Sequence, residues 1–266
     1  MTTPAELQET FEACRPQLRA YLLRMTAHQE DTEDLVQETY LKAHHGLTGF
    51  KGDASLKTWI FAIGSNLARD YLRQKKRWPE NVTDICKTAA LQNQAFFGEQ
   101  MRIRQTSPQG QFEIKEHIVF CFTCIGKSLP LEQQIVLLLK EVYGFTTKEI
   151  AVIIDNNEAM VKYYLRIGRA KMIEIFDHRC SLINKEGVCH QCTELNGIFN
   201  PEQKAAEEVA KIAMARAADK ADKEHLFDLR LELVRNIDPY QSEASELQLH
   251  HLQHNRAVME KYLEKD

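Results

Sequence analysis

The sequence predicts an all-helical protein, and three observations indicate this fold class. Apolar residues recur at i, i+3 and i+4 in most windows, which is the spacing of one helix face, whereas alternating strand patterns are almost absent. Only 11 glycines and 7 prolines interrupt the 266 residues. That length suits about two compact domains plus extensions, at roughly 150 residues per domain. We therefore expect two helical domains joined by a polar linker, followed by a helical C-terminal extension.

The first domain is predicted over residues 1–78 and begins with two helices. An amphipathic helix runs from Glu6 to about His28. Asp31, with Asp34 three residues later, predicts the start of a second helix that ends near His45. The side chains expected to point inward from the second helix are Leu35, Val36, Tyr40 and Leu41. Those expected to be exposed are Asp34, Gln37, Glu38 and Lys42.

A third helix is predicted from the glycine turn near Gly52 to about Arg77. It ends in the basic run RDYLRQKKR, which carries a net charge of +4 over residues 69–77. Such a cluster can neutralise phosphates and release counterions, but it is equally typical of a solvated helix end. Of Trp59 and Phe61, one ring is expected in the core, and the other could stack on an unpaired base.

The second helical domain is predicted over residues 112–177. Residues 79–111 before it are polar and weakly periodic, which predicts a linker that could contain one short helix. Within the domain, Thr146 or Thr147 caps a short helix, residues 155–157 form a tight turn, and a longer helix follows. This order is typical of a helix-turn-helix.

Two stretches of the chain resemble one protein family. Residues 30–77, EDTEDLVQETYLKAHHGLTGFKGDASLKTWIFAIGSNLARDYLRQKKR, closely resemble region 2 of the extracytoplasmic-function (ECF) sigma factors, the promoter-recognition subunits of bacterial RNA polymerase. Residues 129–171, LPLEQQIVLLLKEVYGFTTKEIAVIIDNNEAMVKYYLRIGRAK, resemble their region 4. The resemblance implies a protein that binds core RNA polymerase, recognises promoter DNA and assists strand opening. No catalytic motif is present, so we expect no enzymatic activity.

The resemblance also implies roles for residues in region 2. Its second helix would dock on the clamp helices of the largest polymerase subunit, through Asp34, Gln37, Glu38 and Lys42. Carboxylates are attracted to a basic protein surface and repelled by DNA. The acidic face is therefore expected to bind polymerase, and a different face is expected to bind DNA. The turn after this helix would capture a flipped base of the minus-ten element. The residues implied in minus-ten binding are Phe50, Gly52, Asp53, Ser55, Lys57, Trp59, Phe61, Asn66, Arg69, Arg73, Lys76 and Arg77.

In region 4, the resemblance implies a recognition helix that enters the major groove of the minus-thirty-five element. It also implies that the flap region of the polymerase is a binding partner. The matching residues are Asn157, Glu158, Lys162, Tyr163, Arg166, Arg169 and Lys171. Glu158 could accept a hydrogen bond from cytosine, and Arg166 could donate to guanine. Tyr163, Tyr164 and Ile167 stand where many family members have small or basic residues, so the promoter sequence that is read is expected to be unusual.

Five metal-ligating side chains cluster in the predicted loop 178–200. His178, Cys180, Cys189 and Cys192 have the spacing of a structural zinc site, and an alternative set combines Cys189 and Cys192 with Cys121 and Cys124. Free thiols and redox sensing are the competing interpretations. Cys14 and Cys86 have no such neighbours in the sequence.

Residues 201–266 form an extension beyond the two regions, predicted as two charged helices divided near Pro239. They carry a net charge of −4, whereas residues 1–200 are balanced. The extension could act as a buttress that packs on region 4, mask a DNA-binding surface, or bind a regulator. With no membrane-spanning segment or signal peptide in the sequence, we expect a cytoplasmic protein.

A second function is compatible with the helix-turn-helix. The chain could be a DNA-binding regulator that acts without polymerase and carries a metal- or thiol-sensing segment. The region 2 resemblance distinguishes the two functions, because such a regulator has no need of a clamp-binding helix or a melting loop.

Overall fold

The computed structural model describes residues 2–106, 114–180, 188, 222–241 and 245–264. Within these ranges the chain is helical and contains no strand, which confirms the predicted fold class. The α-helices in chain order are α1 Pro4–Thr26, α2 Gln29–Gly46, α3 Leu56–Arg73, α4 Val82–Leu91, α5 Gln94–Thr106, α6 Ile114–Gly126, α7 Leu131–Leu137, α8 Thr147–Ile153, α9 Glu158–Arg179, α10 Lys223–Asn236 and α11 Ser245–Leu263.

These helices belong to two units. The first unit comprises residues 1–77 and 129–169, and the second comprises residues 78–128 and 170–266. The first unit therefore contains α1–α3, α8 and the part of α9 up to Arg169. Within the described ranges, every helix is too short or too polar to cross a bilayer.

Helices α1, α2 and α3 meet at a glycine. A Cβ atom at Gly64 of α3 would lie 3.0 Å from Leu18 Cδ1 of α1 and 3.2 Å from Thr39 Oγ1 of α2. Since such contacts are tighter than side chains normally tolerate, glycine is what allows the three helices to approach closely. Next to it, the Tyr21 hydroxyl and Ser65 Oγ are hydrogen-bonded at 3.0 Å in the buried core.

Two predictions about α2 are wrong. The helix begins at Gln29, and the imidazole of His28, rather than Asp31, caps it by accepting a hydrogen bond from the Asp31 amide. Leu41 points outward and is 54% exposed. The residues that α2 buries are Thr32, Leu35, Val36, Thr39 and Ala43, which follow the three- and four-residue spacing of one face. Leu41 does not belong to that series, because six residues after Leu35 place it well around the helix.

The helix-turn-helix is formed by α8, a short turn and α9. The sequence predicted a cap at Thr146 or Thr147, and Thr146 is the residue that caps α8, in a capping box with Glu149. Asp155 adopts a left-handed conformation in the turn, with φ of 51°. Asn157 Oδ1 then accepts a hydrogen bond from the Met160 amide at the start of α9. Before the motif, α7 continues into a π-helical segment over Leu138–Val142.

The second unit forms its own core. Where a linker that could contain one short helix was predicted, there are two helices: α4 packs on α6 and α11, and α5 packs on α4 and α11. The residues of these helices in the core include Val82, Cys86, Phe96 and Ile103. Helices α10 and α11 flank Pro239 as predicted, and α10 also packs on α6. Residues 201–221 of the predicted extension lie outside the described residues.

Candidate functional site

The exposed face of α2 is acidic with one apolar residue. Asp34, Gln37 and Glu38 are exposed, and within the described part of the chain the side chains of Asp34 and Gln37 have no hydrogen-bonding partner. Glu38 Oε1 lies 3.2 Å from Lys42 Nζ, and both side chains are about half exposed. Such a pair is worth only a few tenths of a kcal/mol, so a partner protein could replace it at little cost. Leu41 adds an apolar centre, which the sequence interpretation missed by placing it inward.

The turn between α2 and α3 places an aromatic pair beside a glycine. Gly52 has φ of 79°, a conformation that favours glycine. The ring of Phe50 lies 4.9 Å from that of Trp59, centroid to centroid. A Cβ atom at Gly46 would lie 3.5 Å from the Trp59 ring, which therefore also covers the end of α2. Ser55 caps α3 by accepting a hydrogen bond from the Thr58 amide, while Asp53 is exposed.

The two aromatic residues early in α3 have different environments. Trp59 is partly exposed, whereas Phe61 has no exposed surface. The Phe61 ring packs on Phe145 at 4.8 Å between centroids, and Lys57 Nζ lies 5.2 Å from the Phe145 ring centroid. In this arrangement Trp59 is therefore the ring available for stacking, and Phe61 belongs to the core.

The basic residues at the end of α3 also differ. Arg73 and Lys76 are exposed, as is Asn66 earlier in the helix. Arg69 is 8% exposed, and its Nε lies 3.2 Å from Glu132 Oε1. Arg77 donates to the Leu129 carbonyl oxygen at 2.7 Å, and burial lowers the pKa of its guanidinium to about 10. Two of the four predicted phosphate-binding arginines and lysines are thus engaged inside the first unit.

The N-terminal half of α9 presents most of the predicted recognition residues on its surface. The exposed members are Asn157, Glu158, Lys162, Tyr163 and Arg166. Tyr163 is 47% exposed, and the Arg166 guanidinium lies 5.9 Å from its ring centroid. A polar and aromatic surface at the start of a recognition helix can contact base edges. Arg169 instead lies 3.4 Å from Glu141.

In the second unit, Lys171 also has acidic partners. Its ammonium group lies 2.9 Å from Glu80 and 3.3 Å from Glu174, and hydrogen bonding to Glu80 is the main cause of its raised pKa. To bind a DNA phosphate as predicted, Lys171 would have to exchange its contacts with these two carboxylates for a contact with the phosphate.

The cysteines of the second unit are divided between the core and the end of α9. Cys124 is fully buried, and its sulfur accepts a hydrogen bond from the Asn255 amide at 3.6 Å. Cys86 donates to the Asn255 carbonyl oxygen at 3.8 Å, so Cys86 and Cys124 both contact Asn255. His178 and Cys180 lie in and just after the last turn of α9, whereas Cys189 and Cys192 lie outside the described residues. No group of three metal-ligating side chains meets within the described ranges.

Comparison with known proteins assigns the two parts of the chain to two regions of one family. The family model for sigma-70 region 2 matches residues 10–78, and that for sigma-70 region 4 matches residues 122–172. The ECF RNA polymerase sigma-E factors of Salmonella typhimurium strain LT2 and Escherichia coli strain K12 are each 31% identical over 142 residues, which cover 53% of this chain and 70% of each relative. The chain belongs to the ECF family of RNA polymerase sigma factors. The resemblance seen in the sequence is therefore confirmed.

Two further comparisons differ in how much of each protein is matched. The ECF RNA polymerase sigma factor SigG of Mycobacterium tuberculosis strain H37Rv is 29% identical over 175 residues, 60% of this chain but only 46% of that protein. A solved complex of the sigma factor RpoE with the anti-sigma factor NepR from Bartonella quintana covers 65% of this chain and 95% of its own, at 19% identity and a TM-score of 0.41. The matched stretch thus spans less than half of SigG.

Proposed function

We propose that this sigma factor binds core RNA polymerase, recognises promoter DNA and assists strand opening at transcription start sites. The observation that carries the proposal is the exposed face of α2, where Asp34, Gln37 and Glu38 surround Leu41 within region 2. A face with charges around an apolar centre is typical of a protein-binding surface. We propose the clamp helices of the largest polymerase subunit as its partner, and a cytoplasmic location follows from that role.

The DNA contacts proposed for region 2 lie on a different surface. Trp59 would stack on an unpaired base, with Phe50 supporting its ring at 4.9 Å. Arg73 and Lys76 would bind backbone phosphates, which position the DNA without reading its sequence. In region 4, the exposed start of α9 would enter the major groove, and its flanking helices would contact the polymerase flap. The polymerase itself would add nucleotides, so the sigma factor would have no enzymatic activity.

Reconstituted transcription on a promoter library tests the proposal directly. The chain, added to core polymerase, is expected to produce specific start sites preceded by two shared sequence elements. The double substitution Asp34→Lys and Glu38→Lys is expected to abolish polymerase binding, because it places positive charge opposite a basic surface.

A matched control is available on α1. Glu9 and Glu12 are exposed, so Glu9→Lys with Glu12→Lys makes the same change in net charge away from the α2 face. This control should retain polymerase binding. If the α2 variant bound polymerase as well as the control, the docking face would be wrong. Promoter binding without any polymerase association would favour the regulator that acts alone.

We also propose a structural zinc ion bound by His178, Cys180, Cys189 and Cys192. The alternative set requires Cys124, which is fully buried, and burial raises the pKa of its thiol to about 12. Since zinc binds the thiolate, this residue is a poor ligand, whereas His178 is exposed and Cys180 partly so.

Metal analysis of the purified protein tests the zinc proposal. We expect one zinc per chain in the wild type, loss of zinc in Cys180→Ser, and retention in Cys14→Ala, which removes a buried thiol of α1. Zinc retained by Cys180→Ser but lost by Cys124→Ser would favour the alternative set.

The C-terminal extension remains the candidate site for a regulator. Its described helices, α10 and α11, pack within the second unit and suit the buttress role. A change in promoter binding after deletion of residues 201–266, with the remaining chain still folded, would support masking.

A further inference from the structure

A narrow pocket lies within the second unit, between the last two turns of α9 and the first two turns of α10. Its free space, including the open mouth, measures about 230 Å³. Since typical ligand pockets start at about 300 Å³, only a small ligand fits here. Its apolar walls are side chains that are at least nine-tenths buried, namely Ile173, Phe176, Leu226 and Phe227.

Aromatic packing holds these walls in place. The ring centroids of Phe176 and Phe227 lie 6.3 Å apart. Phe122 of α6 lies 6.2 Å from the first ring and 6.3 Å from the second. All three rings are buried, so the pocket is formed by the packed core of the unit and is present before a ligand arrives.

Arg230 places a buried positive charge at the wall of this pocket. Its side chain is 2% exposed, and its guanidinium carbon lies 4.0 Å from the centroid of the Phe176 ring. Within the described residues, the guanidinium has no carboxylate at ion-pair distance and no hydrogen-bond acceptor. The aromatic ring compensates only in part for the loss of water around the charge. The N–H donors of Arg230 are therefore available to a ligand.

The charges that line the pocket indicate the charge of this ligand. Lys223 and Arg230 contribute two positive charges and Asp177 one negative charge, so the lining carries a net charge of +1. A monoanion balances this charge, whereas a phosphate dianion would be repelled more strongly by Asp177. The planar fork of arginine also matches a carboxylate, to which it donates two parallel hydrogen bonds.

We propose that this pocket binds a carboxylate carried on a short aliphatic chain. The carboxylate accepts hydrogen bonds from Arg230, and the chain lies against Ile173 and Leu226. The source is a free short-chain acid or the glutamate side chain of a partner protein, which share this chemistry. Because both α9 and α10 contribute to the pocket, the bound ligand stabilises the packing of the C-terminal extension on the end of α9.

Titration of the full chain with sodium butyrate tests the pocket, followed by NMR through the methyl signals of Ile173 and Leu226. We expect both signals to shift and then saturate, relative to sodium chloride at the same ionic strength. Butyramide has nearly the same shape but no charge, so it should bind at least about tenfold more weakly, because charge-assisted hydrogen bonds are the stronger ones. Signals that do not move with butyrate, or that move equally with butyramide, would overturn the site. This comparison uses the wild-type chain and needs no substitution.

Substitutions at Arg230 distinguish binding from packing. Arg230→Met keeps an unbranched side chain and should abolish the response to butyrate. Arg230→Lys keeps the charge but should weaken binding about tenfold, since an ammonium group lacks the planar fork. Arg235→Met removes an exposed arginine of the same helix and should leave binding unchanged. A folded Arg230→Met variant that still binds butyrate would leave Arg230 with a packing role alone.

A blocked glutamate, N-acetylglutamic acid α-amide, distinguishes the two sources of the carboxylate. Tighter binding of butyrate supports a free acid as the ligand, and tighter binding of the blocked glutamate supports a side chain of a partner protein. Neither arm uses polymerase or DNA, so the result is independent of the proposed function. A chain that binds butyrate at this pocket but fails to bind polymerase would retain this inference and lose the proposed function.

Discussion

At the scale of single residues, Leu41 changes how the proposed docking face of α2 is understood. An acidic helix face by itself is usually a solvated surface, and the sequence pattern could not distinguish that from a binding site. A leucine that is 54% exposed beside Asp34 and Glu38 favours a partner that removes apolar surface from water. The charges then provide orientation and association rate, while the leucine contributes affinity.

We predict that Leu41→Asp weakens polymerase binding by about 30-fold, because burying a leucine side chain contributes about 2 kcal/mol. The free energy of unfolding should change by less than about 0.5 kcal/mol, as expected for an exposed position. Competition binding to core polymerase and urea denaturation measure the two effects. Leu91 of α4 is 64% exposed and provides the control, since Leu91→Asp should leave polymerase binding unchanged. Equal loss in both variants would remove Leu41 from the interface.

At the scale of helices, periodicity predicted the elements whose contacts lie on one face. Helices α1–α3, a threonine cap at residue 146 or 147 and the turn before α9 were all predicted from apolar spacing and capping residues. The start of α2 was misplaced, because aspartate is the more common capping residue and the imidazole of His28 was overlooked. Single-sequence reasoning can identify a helix, but the capping residue depends on which side chain reaches the free amides.

Helices α4 and α5 show where local reasoning fails. Their sequence is polar and contains Gly98, features that indicate a linker. What stabilises them is contact with α6 and α11, whose residues are distant in the sequence. The candidate site could not be predicted in full for the same reason, because it also depends on contacts between residues that are distant in the sequence. Resemblance supplied its residues, but only the fold shows that Phe61 and Arg69 are covered while Trp59 and Arg73 are accessible.

At the scale of the whole molecule, distant parts of the chain share a histidine-rich core in the second unit. His251 of α11 lies beside Phe96 of α5 and Phe120 of α6, at 5.5 and 5.6 Å between ring centroids. His254 stacks on Phe96 at 3.9 Å, and His117 packs on Phe120 at 5.5 Å. The C-terminal extension is therefore joined to α5 and α6 by rings that must stay neutral to remain buried.

Burial is the main cause of the lowered pKa values of the histidines in this cluster, and nearby charges modify them. Burial lowers the pKa of His117 to about 4 and lowers that of His251 well below its ordinary value, to which the charges of His117, His250 and His254 add. Burial also lowers the pKa of His250 and of His254. Near His250, Glu99 and Glu246 favour protonation, and Arg102 opposes it. Glu116 of α6 is also buried in this unit.

We predict that the second unit loses stability as the pH falls from about 6.5 towards 4. A lowered pKa means that the folded state binds fewer protons than the unfolded state in this window, so acid favours unfolding. Above about pH 6.5 the stabilisation is fully present. For His117 alone, the shift corresponds to about 3 kcal/mol at most.

The two tryptophans allow each unit to be measured separately. Trp59 lies in the first unit and Trp78 in the second, so Trp59→Phe leaves a fluorescence signal from the second unit alone. In that background, urea denaturation should show a free energy of unfolding that falls steeply with acid. His117→Phe should flatten the dependence, whereas replacing the exposed His45 with Gln should not. An unchanged slope in His117→Phe would mean that other groups control the acid sensitivity of this unit.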